Sequence, residues 1–78
     1  MSRELLEYVT PWLVDEPDDV EIAEVEGERG QTIFELSVHP DDMGKVIGRQ
    51  GRIIRALRVL VRASGQHDGS SATVEVVD

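Results

Sequence analysis

The sequence predicts an α/β two-layer sandwich, a single domain over residues 1–78 with helices packed on one face of a three-stranded mixed sheet. Three observations carry this. Apolar residues recur at helical spacing near residue 5 and again from residue 52, while residues 20–38 and 72–77 alternate at period two. The order is helix, strand, strand, short helix, long helix, strand, which suits segregated layers. Strands 31–38 and 72–77 are joined through helices, so a right-handed crossover makes them parallel, whereas 20–26 and 31–38 form an antiparallel hairpin.

The first helix covers residues 3–14, with Leu5, Leu6, Val9, Trp12 and Leu13 on its apolar side and Ser2 as its start. Pro11 removes a backbone donor, so the expectation is a kink, or a break near Thr10 with a new turn from Pro11. Asp15-Glu16-Pro17-Asp18-Asp19 is an acidic loop. Val20 begins a β-branched segment whose inward side is either Val20, Ile22 and Glu24, or Ile22 and Val25 across a bulge. Gly27-Glu28-Arg29-Gly30 turns the chain into a strand with Phe34, Leu36 and Val38 on one side.

His39-Pro40-Asp41-Asp42 opens the short helix, with proline at its first position and two acids near the positive dipole end. Residues 52–63 form the strongest helix. Ile53, Ile54, Ala56, Leu57, Leu60 and Val61 span one side, and Arg55, Arg58 and Arg62 lie opposite with Val59 among them. Residues 64–71 read as a flexible Gly/Ser loop and 72–77 as the last strand.

Composition narrows the function. The net charge is −8, which taken whole argues against a polyanionic partner. The distribution reverses that. Lys45, Arg49, Arg52, Arg55, Arg58 and Arg62 are six of the eight cations, and no acid lies between 45 and 62. The other two cations face all 16 acids, so a +6 stripe sits on a −14 body. Charges more than ~8–10 Å away are largely screened, so such a stripe can still hold a polyanion. There is no cysteine, and no apolar run exceeds three residues, so the expectation is a soluble intracellular protein with no membrane span. His39 and His67 are far apart, the serines have no adjacent base, and Gly44-Lys45 lacks the rest of a P-loop. No enzyme, cofactor or metal site is expected.

Gly48-Arg49-Gln50-Gly51 lies between the two helices inside the basic stripe. Glycines three apart allow close approach, and a following helix N-terminus favours an anion, so the reading is a phosphate-backbone clamp with N–H groups directed at phosphates. Arg49 and Gln50 project from the tip, Lys45 and Arg52 flank it, and Arg55 extends it. Some of Val46, Ile47, Ile53 and Ile54 are core, while one or two line an apolar groove. Spacing alone means little, since Gly27-Glu28-Arg29-Gly30 repeats it in an acidic hairpin.

Val46-Ile47-Gly48-Arg49-Gln50-Gly51-Arg52-Ile53-Ile54 resembles the I-G-x-x-G-x-x-I core of KH domains, RNA-binding modules whose G-x-x-G loop clamps backbone nucleotides. The element order resembles the type II arrangement, in which the extra helix and strand precede the core. Over its whole length, including Leu13-Val14-Asp15-Glu16-Pro17-Asp18-Asp19-Val20 and Gly44-Lys45, the chain is similar to the small single-domain bacterial KH proteins of the KhpA (YlqC) type. The resemblance implies cytoplasmic single-stranded RNA binding, as a homodimer or with a larger KH-containing partner of the KhpB/Jag type. It also implies RNA-chaperone or post-transcriptional regulatory activity affecting cell shape and peptidoglycan homeostasis. The competing reading is a protein-interaction adaptor with little RNA affinity, favoured by the acidic body and by Val59.

Overall fold

The computed structural model describes residues 1–77. Helix α1 (Ser2–Leu13) leads through a 3-10 turn (Pro17–Asp19) into strand β1 (Glu21–Glu26). A second 3-10 turn (Glu28–Gly30) returns the chain as β2 (Thr32–Ser37). A third (Pro40–Asp42) opens α2 (Met43–Ile47), a fourth (Arg49–Gly51) joins it to α3 (Arg52–His67), and β3 (Ala72–Val76) follows. The sheet order is β1-β2-β3, antiparallel then parallel, which is the type II KH arrangement.

Period two decides which side of the sheet is covered. Phe34, Leu36 and Val74 are buried under the helices and pair in register, Leu36 with Ile22 and Val76, Phe34 with Glu24 and Val74. The β1–β2 ladder is continuous over six pairs, so the hairpin holds no bulge and Val25 falls on the open face. From the helices, Leu6, Val46, Ile54, Leu57 and Val61 complete the core. At roughly 1.5–3 kcal/mol for each fully buried aliphatic side chain, this small cluster is the main stabilising term.

Three expectations change. Of the two alternatives at Pro11 the break near Thr10 does not occur: α1 is continuous through the proline, which sits in the last turn and removes one backbone bond while Leu6 and Thr10 stay anchored. Trp12, expected on the apolar side of α1, is not core: it is 80% exposed, because that side is wider than the arc the sheet and α3 cover. Helix α3 also continues past residue 63 to His67. Gly65, read as a loop signal, is buried inside the helix where α3 meets the start of β3. A Cβ there would lie 3.2 Å from the Ser70 carbonyl and 3.3 Å from the Ala72 Cβ.

A candidate nucleic-acid interface at the α2–α3 turn

Helix α2 is short because Gly48 ends it. The Gly48 N–H bonds the Gly44 carbonyl at 2.8 Å, and the backbone then turns to φ 77°, ψ 169°, a region essentially reserved for glycine. A Cβ at Gly48 would also lie 2.7 Å from Ile53 Cγ1 and 2.9 Å from the Ile53 nitrogen. Gly51 is left-handed at φ 74° but spatially open, with the nearest atom to a new Cβ at 3.7 Å. Gln50 between them also takes a left-handed conformation, φ 56° and ψ 25°.

The glycine N–H groups are not offered to a ligand as the spacing suggested. Gly51 N–H bonds the Gly48 carbonyl at 3.0 Å, and Arg52 N–H bonds the Arg49 carbonyl, so these donors close the turn itself. What the turn exposes is the start of α3. That sixteen-residue helix has no side-chain cap and no acid in its first turn, so its positive dipole end is uncompensated. Arg49, Gln50, Arg52 and Arg55 stand exposed around it.

Among the described residues, none of Arg49, Arg52, Arg55, Arg58 and Arg62 forms an ion pair, although the chain carries 16 acids. Lys45 differs. Its ammonium lies 3.1 Å from Asp15 and 3.5 Å from Asp42, and these carboxylates, Asp15 first, hold it above the ordinary lysine value. Asp42 is 1% exposed and accepts the N–H groups of Asp15 (3.2 Å) and Glu16 (3.0 Å). Burial pushes its carboxyl up, but those donors and Lys45 outweigh it and leave Asp42 below the ordinary carboxylate value. Lys45 thus braces α2 against the acidic loop after α1, and it reaches any ligand already partly neutralised. The Asp42 acid, expected to serve the helix dipole, is instead the centre of that brace.

The hydrophobic flank divides. Val46 is fully buried in the core and cannot touch a ligand, so its place among the contact residues is withdrawn. Ile54 is core as well. Ile47 and Ile53 are half-buried at the turn and remain available to an apolar groove floor.

Sequence reasoning missed the edge of β3. Arg58 donates through Nε to the Val74 carbonyl at 3.2 Å, so the arginine side of α3 faces the outer edge of the last strand. Only the crossover topology could have revealed that. A cleft of about 570 Å³ lies elsewhere, between α1 and β1 around Glu7, Val20 and Ile22. Its one cation, Arg3, is paired with Glu7 and Glu24, and backbone phosphates are held at surfaces, so the α2–α3 turn is the stronger candidate.

Comparison with known proteins accords with this geometry. The family model described as KhpA/KhpB, KH domain, matches residues 3–76. "RNA-binding protein KhpA" of Clostridium perfringens (strain 13 / Type A) is 47% identical over 75 residues, covering 96% of this chain and 99% of the relative. The protein of the same name from Streptomyces coelicolor is 49% identical over 78 residues, covering 100% and 94% respectively. That of Mycobacterium leprae is 51% identical over 73 residues, covering 94% and 86%. With full-length matches at this level joined to the type II topology, the chain belongs to the KhpA/KhpB family of KH domains.

Proposed function

We propose that this chain binds single-stranded RNA, pinning the phosphate backbone at Gly48–Gly51 and along the arginines of α3. One observation carries the reading: in a protein of net charge −8, five arginines, at and along α3 from its uncapped N-terminus, form no ion pair among the described residues. The relatives' shared description as RNA-binding proteins supports it. Arg49 and Arg52 pair with phosphate, Gln50 adds neutral hydrogen bonds, Arg55 extends the contact, and Ile47 and Ile53 floor the groove beside the turn. The module is a binder and not an enzyme. It acts in the cytoplasm as an RNA chaperone or post-transcriptional regulator with effects on cell shape and peptidoglycan homeostasis. Among the described residues, no helix is long and apolar enough to cross a membrane.

It works in pairs, as a homodimer or with a larger KH-containing partner, so that two weak clamps gain avidity through linkage. The second reading, an adaptor with little RNA affinity, draws on Tyr8, Trp12, Val59 and Leu60, apolar side chains left exposed on α1 and α3. Fluorescence anisotropy with a short labelled RNA across a salt series separates them. Neutralising three or four phosphates makes log K fall against log[salt] with a slope of roughly −2 to −3. Absence of binding at low salt, with self-association intact by sedimentation, would leave only the adaptor.

A further inference from the structure

The arginine side of α3 does not end at the clamp. Arg55, Arg58, Arg62 and Gln66 follow one another at spacings of three and four, so they share one side of the helix. The bond from Arg58 to Val74 fixes that side against the outer edge of β3. At 1.5 Å per residue, Gln66 stands roughly 21 Å along α3 from Arg52. At that end of the helix lies a cavity of about 270 Å³, lined by Gln31, Arg62, Gln66, Ser70, Ser71 and Thr73.

The cavity is held in shape from outside. Ser70 donates its N–H (2.7 Å) and its hydroxyl (3.2 Å) to the Gly65 carbonyl, and Thr32 N–H bonds the Ser71 carbonyl at 2.9 Å. Neither glutamine amide has a hydrogen-bond partner among the described residues. The chemistry is therefore unlike the clamp: neutral amides and hydroxyls with a single cation. Phosphate recognition draws on charge, whereas a side-chain amide presents one donor beside one acceptor, the pattern that matches the N6 and N7 edge of adenine.

We propose that this cavity is a base-reading pocket for adenine, several nucleotides from the clamp, with Gln31 and Gln66 as its specificity-determining residues. The inference rests on the RNA reading above and assigns to it a sequence preference that the clamp alone cannot produce.

The test uses fluorescence anisotropy at low salt with octauridine and with the same RNA carrying one central A, G or C. The wild-type protein should bind the adenine-containing RNA about fivefold more tightly than the other three, the lower end for a bidentate amide–base pair. Gln31→Ala combined with Gln66→Ala should erase that preference while leaving octauridine affinity and the salt slope unchanged. Gln66 is exposed and Gln31 half-buried without a side-chain hydrogen bond among the described residues, and an unchanged thermal melt of the double variant checks that the fold is kept. Binding of all four RNAs without an adenine preference, or a preference that survives the double substitution, overturns the pocket and leaves the clamp standing. An equal loss for every RNA overturns it in favour of a phosphate site. Failure of the wild type to bind any of them overturns the RNA reading itself.

Discussion

Two four-residue turns in this chain have nearly the same shape and opposite surroundings. In Gly27–Gly30 the third residue, Arg29, sits at φ 59°, ψ 30°, and in Gly48–Gly51 the third residue, Gln50, sits at φ 56°, ψ 25°. Their closing glycines agree as well, Gly30 at φ 75° and Gly51 at φ 74°. The first turn leads into a strand, whose dipole is small, and Glu26 and Glu28 stand beside it. The second leads into an uncapped sixteen-residue helix with arginines on both sides. The turn is thus a generic way of reversing a backbone, and its function comes from what the next element does with its free ends.

The opening glycines break the likeness most sharply. Gly48 occupies a glycine-only conformation and has Ile53 within 2.7 Å of a Cβ, so Gly48→Ala should cost about 3–5 kcal/mol in urea unfolding, combining backbone strain with overpacking. Gly27 has an ordinary φ of −94°, and its Cβ would meet the movable side chains of Ile33 (2.9 Å) and Gln31 (3.4 Å), so mild overpacking set against the lost freedom of the unfolded chain should make Gly27→Ala cost no more than about 1 kcal/mol. Equal costs would refute the distinction. It follows that a Gly48→Asp, Gly51→Asp double substitution, the obvious clamp test from sequence, reads folding before binding.

Charge reversal tests binding without touching the turn. Arg49→Glu with Arg52→Glu should weaken RNA binding about tenfold to a hundredfold for all sequences alike, with stability nearly unchanged, since both side chains are exposed and form no ion pair among the described residues. Making the other turn basic, with Glu26→Arg and Glu28→Arg, should create no comparable site. If it does, net charge rather than the helix terminus is the operative feature.

The brace behind the clamp predicts a pH dependence of stability. Asp42 titrates below its ordinary value of 3.8, so its contribution to stability is present above that pH and is lost as pH falls through the lower folded value. Lys45 titrates above 10.5, so its contribution is complete below that pH and lost as pH rises through the higher folded value. Thermal melts of Asp42→Asn should show a flatter acid limb than the wild type. An unchanged limb would detach Asp42 from acid stability.

The smallest effect concerns the shared shape. Gln50→Gly and Arg29→Gly each relieve a left-handed residue, against the extra freedom glycine gives the unfolded chain, so each should stabilise by up to about 1 kcal/mol. The two values should match. Only Gln50→Gly should also alter RNA affinity.

Much of this molecule was legible because it is written in short-range pattern. Period two in β2 and β3, helical spacing in α3, and the acid-free run of arginines each depend on residues within a few positions of one another, and all appear in the structure where they were expected. The crossover rule then made β2 and β3 parallel, and the G-x-x-G core with its isoleucines pointed to the family.

What the sequence could not settle is what lies across from each element. Val46 and Ile47 are neighbours in an apolar run, yet only the packing of α2 on the core makes one fully buried and leaves the other at the turn. Gly65 looks like a loop residue until β3 is seen to approach within a methyl group's reach. Asp42 meets backbone 27 residues away, and the two glutamines of the far pocket, Gln31 and Gln66, are brought together only when α3 is laid beside the sheet. Local periodicity determined the elements and their charge. Burial, pairing of distant polar groups and the pocket at the end of the groove were decided by tertiary structure, because each is a property of two chain segments at once.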